Sequence, residues 1–204
     1  MKMAWVLGWA VPVAWFAQYA EIIFSKAVHV YVEPGPEAWE KLEKAGPVDA
    51  LGGYSLGAQL LLENPTRASG LSAKIGLFAP IFAFAQEAGL GGKIPRTQVR
   101  YLSRWLRRER EAALADFYSR TGLDVSASSS NEISPATLEW GLSRLETSEV
   151  KPPAPGHWKL YCGTADALLD SARLAQIDPV VNLVPGATHH PEMLLRAWAE
   201  ELGK

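Results

Sequence analysis

Gly53-Tyr54-Ser55-Leu56-Gly57 decides how this chain reads, because the short run Val48–Leu51 leads into it and a helix-competent run, Leu56–Glu63, leads out. The pattern predicts a strand, a tight turn and a helix, with a serine at the apex. A serine held on such a turn needs small neighbours, which the two glycines supply, and the first N–H groups of the following helix point into the space above its hydroxyl. A bare G-x-S-x-G pentapeptide carries little weight. Three further stretches, in a fixed chain order, give it more.

The first is Leu7-Gly8-Trp9-Ala10, which follows the apolar run Met3–Leu7 and reads as the loop leaving a strand. The second is Leu160-Tyr161-Cys162-Gly163-Thr164-Ala165-Asp166, an apolar strand with a Gly turn and an acid at its carboxyl end. The third is Val180–Val184 followed by Pro185-Gly186-Ala187-Thr188-His189-His190, a strand whose exit loop carries histidine. Ser55, Asp166 and His189 thus stand in the order nucleophile, acid, base, which differs from the orders of the two unrelated serine-protease folds. Asp170 is the reserve candidate for the acid. His190 competes with His189, and the end of the Gly-x-x-His run favours His189.

With these residues on the page, the chain resembles an α/β-hydrolase over nearly its whole length. Within that superfamily it is similar to the pimeloyl-carrier-protein methyl ester esterases of biotin synthesis, through Gly8-Trp9, Gly53–Gly57, Tyr161–Asp166, Gly186–His189 and the segment Asp116-Phe117-Tyr118-Ser119-Arg120. The resemblance implies a Ser55-His189-Asp166 triad, with an oxyanion hole made of the backbone N–H groups of Trp9 and Leu56; the Trp9 ring would floor an acyl pocket. It also implies a serine carboxylesterase whose substrate is a methyl ester on an acyl carrier protein. A general short-chain esterase or thioesterase, and a non-catalytic binding protein on the same scaffold, are the alternatives. The chain departs from many relatives in three places. It has Leu7-Gly8 where they carry His-Gly, it reads Glu33-Pro34-Gly35-Pro36 after the second strand, and it starts directly on the strand before the oxyanion loop, without the N-terminal antiparallel hairpin.

Composition sets the bounds. At 204 residues the chain fits one domain with a sizeable core, and 48% hydrophobic with 21% charged residues is ordinary for a globular protein. A formal net charge of −2 argues against a general nucleic-acid binder. The single cysteine, Cys162, cannot form an internal disulfide and reads as a small buried hydrophobe. Lys2 and the apolar run after it imitate a secretory signal; cleavage near Ala20 would remove the first strand and the Trp9 loop, so the run reads as strand plus helix of a cytoplasmic protein with no membrane span. No metal-ligand spacing and no phosphate-binding glycine loop appear, so neither metal nor nucleotide cofactor is expected.

Strand–helix alternation gives the expected architecture, an α/β fold with a minimal, mostly parallel six-stranded sheet. The strands are read at Met3–Leu7, Ala27–Val32, Val48–Leu51, Ala73–Ala79, Trp158–Cys162 and Val180–Val184. Helices are read at Val13–Phe24, Glu37–Lys44, Leu56–Glu63, Ser171–Ala175 and Glu192–Leu202. Residues 1–79 and 156–204 would form the core and residues 80–155 a helical lid, with one long helix over Gln98–Ser119 and a second over Pro135–Leu145. Six arginines against two glutamates give residues 96–111 a charge of +4 and leave −6 for the rest. Arg96, Arg100, Arg104 and Arg108 fall near one helical face. That face is either solvated or a docking stripe for an acidic partner such as an acyl carrier protein, with Tyr101 and Trp105 on the side turned to the active site. His29 and His157 read as structural.

Overall fold

The structure, a computed structural model, describes residues 1–203. Six strands, β1 (Lys2–Val6), β2 (Val28–Val32), β3 (Ala50–Tyr54), β4 (Ile75–Phe78), β5 (Lys159–Gly163) and β6 (Val181–Val184), form one sheet. Every pairing is parallel, in the order β2-β1-β3-β4-β5-β6. The four inner strands are almost wholly buried, as expected where helices cover both faces, whereas the edge strand β2 is partly exposed.

The helices α1 (Val13–Ile23), α2 (Ala38–Ala45), α3 (Leu56–Glu63) and α4 (Pro65–Leu71) precede β4. After it come α5 (Arg96–Arg108), α6 (Arg110–Thr121), α7 (Pro135–Thr147), α8 (Ser171–Ile177) and α9 (Pro191–Glu201), the first three lying between β4 and β5. One sheet face is aromatic. Trp5 packs against Phe16 and Phe24 of the α1 region, Phe78 of β4 and Trp198 of α9, with ring centroids 5.6–6.1 Å apart. Its indole donates to His29 Nδ1 at 2.9 Å, which is the structural role read for that histidine.

The glycines of β3 explain why that strand runs three residues past the Leu51 read from sequence. Successive residues face opposite sides. A Cβ on Gly52 would stand 2.3 Å from the Trp5 ring, and one on Gly53 would stand 2.9 Å from the α3 backbone on the other face. Bare backbone there continues the strand and lets helix and indole close on it. Gly76 of β4 receives the Trp198 ring in the same way.

The structure corrects two helical readings. The long helix Gln98–Ser119 is two helices, broken at Glu109, whose φ of −143° and ψ of 66° leave the helical region. Its N–H closes α5 on Trp105 O, and its carbonyl opens α6 by accepting Ala113 N–H. The break turns the chain so that Val99 and Leu106 of α5 and Ala113, Leu114 and Tyr118 of α6 all become buried. α4 is a helix not among those read from sequence, with Pro65 at its first turn, where proline's missing N–H costs nothing. The apolar N-terminal run forms β1, an inner strand next to the edge strand β2, and α1. Among the described residues no helix is long and apolar enough to cross a membrane.

Candidate active site

β3 ends at Tyr54, and α3 begins at Leu56, so Ser55 alone makes the turn. Its φ of 54° and ψ of −115° lie in a region that non-glycine residues seldom occupy, at a cost of about 1–3 kcal/mol. Close packing holds it there. A Cβ at Gly57 would lie 2.1 Å from Val6 O and 2.6 Å from Leu7 O, so the end of β1 presses directly on the first turn of α3. The serine is 8% exposed.

From β6 the loop through Gly186 brings His189 over this turn. Its Nε2 lies 3.1 Å from Ser55 Oγ, and its Nδ1 lies 2.8 Å from Asp166 Oδ2. The second carboxylate oxygen, Oδ1, accepts the N–H groups of Leu168 and Leu169 at 2.8 and 3.0 Å. Burial pushes the Asp166 carboxyl up, but the charge and hydrogen bond of His189 and the two backbone donors outweigh it and hold its pKa below the usual carboxylate value. Asp166 and His189 are each 2% exposed. The three residues read as nucleophile, acid and base therefore form one hydrogen-bonded line. Asp170 instead caps α8 by accepting Arg173 N–H.

The donors expected at the oxyanion hole lie where the packing of Gly57 puts them, one in the loop after β1 and one at the first residue of α3. Neither the Trp9 N–H nor the Leu56 N–H donates to a protein acceptor among the described residues. The Trp9 ring departs from its expected role as a pocket floor. Its Nε1 donates to Leu138 O at 2.8 Å, its face meets Phe117 edge-on at 4.7 Å, and Gly141 of α7 lies against it. The indole thus fastens α6 and α7 onto the β1 loop.

Between α5, α6 and α7 lies an apolar cavity of about 110 Å³, lined by Leu102, Trp105, Phe117, Leu142, Leu145 and Leu168 among others. Ser55 is not in its wall. Leu168, which donates to Asp166, and Phe117, which touches Trp9, are the residues that the cavity shares with the site. Tyr101 and Trp105 line it too, although Tyr101 is 54% exposed. The arginine stripe is partly answered by the chain's own acids. Arg96 pairs with Glu149 at 3.1 Å and Arg100 with Glu146 at 2.6 Å, whereas Arg104 and Arg108 are exposed and have no carboxylate partner among the described residues.

Three contacts were not foreseen from sequence. Tyr54, fully buried, donates its hydroxyl to His189 O at 2.8 Å; burial and the Asp166 charge push its pKa well up, so it stays a donor. His190 caps α9 by accepting Glu192 N–H, and its ring lies edge-on to Tyr19 and Trp15 and 3.4 Å from Asp124. Lys93 Nζ donates to Asp166 O at 2.6 Å. The Gly91-Gly92 pair before Lys93 was the one available sign, since adjacent glycines mark close backbone approach. Burial pushes the Cys162 thiol up, as for an inert core cysteine.

No protein-family model matches the sequence, and no curated protein matches it. Solved structures do. A thermophilic esterase from Thermogutta terrifontis is 14% identical, with a TM-score of 0.69 over all of this chain and 89% of that one. A hydrolase from Oleispira antarctica is 11% identical, with a TM-score of 0.73 over 98% of this chain and 87% of the other. The bottromycin epimerase, solved with bottromycin A2, is 15% identical, with a TM-score of 0.66 over 98% and 88%. An epimerase among these neighbours illustrates that a shared fold leaves the reaction open. What the likeness does establish, together with the parallel sheet and its order, is that this chain has the α/β-hydrolase fold.

Proposed function

We propose that this protein is a serine hydrolase of carboxylic esters. The observation that carries the proposal is the continuous line Ser55 Oγ, His189, Asp166 at 3.1 and 2.8 Å, with the serine on a strained turn at the carboxyl end of the sheet. Ser55 Oγ attacks the ester carbonyl while His189 Nε2 takes its proton; Asp166 holds the ring in the tautomer that leaves Nε2 free and stabilises the imidazolium. The Trp9 and Leu56 N–H groups bind the oxyanion of the tetrahedral intermediate, each donor being worth roughly 10²–10³ in rate. Collapse expels the alkoxide, which His189 protonates. Water, deprotonated by the same ring, then attacks the acyl-enzyme and restores Ser55.

The cavity beside the site supports a short apolar acyl group. An apolar cavity of about 150 Å³ accommodates benzene, so about 110 Å³ suits only a few carbons. A fluorophosphonate probe tests the assignment. One equivalent should attach to Ser55, with loss of p-nitrophenyl butyrate hydrolysis in parallel. An inert serine in folded protein would favour the binding-protein alternative.

A second reading, a methyl ester presented by an acyl carrier protein, is supported by the unpaired, exposed Arg104 and Arg108. Reversing both to Glu should raise KM severalfold for a carrier-linked methyl ester, leave a small neutral ester unchanged, and abolish the salt sensitivity of the carrier reaction. Equal effects on both esters would remove this reading.

A further inference from the structure

The acid of the site is held from two sides. Its carboxylate is fixed by His189 and by the N–H groups of Leu168 and Leu169, all within the sheet's own loops. The backbone of that loop, residues 166–170, is fixed from outside by Gly91-Gly92-Lys93, which belong to the segment between β4 and β5. Gly92 pairs antiparallel with Leu169, Lys93 N–H donates to Leu168 O at 2.9 Å, and Asp170 N–H donates to Gly91 O at 2.7 Å. Both glycines are also hemmed in by other neighbours, since a Cβ on Gly92 would stand 2.0 Å from Phe84 O and one on Gly91 would stand 2.5 Å from the Leu174 side chain. The Lys93 ammonium then reaches back to the carbonyl of Asp166 itself, at 2.6 Å.

That bond is unlike the others. Lys93 makes no ion pair among the described residues, and its hydrogen-bond partner is the carbonyl of the residue that orients His189. Resting on the triad reading above, we infer that Lys93 is a positioning residue. It fixes the peptide from which the Asp166 side chain springs, and through that carboxylate the bearing of the His189 ring.

Lys93→Met should therefore lower kcat by about tenfold, with KM for p-nitrophenyl butyrate within twofold of wild type. Lys93→Arg keeps the charge and donors and should restore the rate, a split between kcat and KM and a rescue that a merely structural residue would not show. An unchanged kcat in Lys93→Met, or no rescue by Lys93→Arg, would overturn the inference. So would a fall in melting temperature of more than about 3 °C, a general destabilisation for a domain of this size, because the lysine would then be an ordinary strut. If wild type itself neither turns over ester nor takes the phosphonate label, it is the triad reading that fails, and the two failures are thereby distinguished.

Discussion

Ser55→Ala is expected to abolish ester hydrolysis, lowering turnover by about 10⁶, since loss of a triad nucleophile alone costs nearly as much as loss of the whole triad. The fold should survive. Ser55 N–H bonds to Phe78 O, and its carbonyl accepts Gln59 N–H, contacts that alanine keeps. Alanine must still adopt the positive φ, so the strain stays and little stability is gained or lost. Hydrolysis of p-nitrophenyl butyrate and far-ultraviolet circular dichroism, measured on the same preparation, check this. Activity within tenfold of wild type with an unchanged spectrum would remove Ser55 as nucleophile.

The adjacent histidines should separate almost as widely. His189→Ala removes the only ring between Ser55 and Asp166 and should lose nearly all turnover, on the order of 10⁶. His190→Ala should keep activity within about tenfold. Its ring lies against Tyr19, Trp15 and Asp124, away from the Ser55 to Asp166 line, and its backbone continues into α9. What it loses is a helix cap, worth about 1 kcal/mol, which a melting curve reads separately. The opposite pattern of activities would place the base at His190.

Much of this was legible in the chain because it rests on local chemistry. Gly53 and Gly57 announce the turn at Ser55, Gly163 ends β5 just before the turn to Asp166, and Gly186 sits in the turn that leads to His189. Short apolar runs announce buried parallel strands, and all six were found, with ends displaced by a few residues. The displacement was largest at β3, where Gly52 and Gly53 look like breakers and are instead the space for Trp5 and α3. The break at Glu109 was hidden because Arg-Arg-Glu-Arg-Glu contains no glycine or proline, and only burial of both flanking helices forces the turn. The pairing of Arg100 with Glu146 and the bonds of Tyr54 and Lys93 span 46, 135 and 73 positions of sequence, and no local pattern reports them.

The contact of residues 91–93 with the acid loop also bears on how this architecture can be altered. The segment between β4 and β5 carries three helices and adds no strand to the sheet, and a designer exchanging it would cut at Ala79 and before Trp158. Here such a graft would remove Gly91, Gly92 and Lys93 together, and with them the outer support of the backbone that carries Asp166. The exchangeable module is therefore shorter than the insertion. It begins after Lys93, so that α5 to α7 could be replaced while the backbone of Asp166 keeps its support.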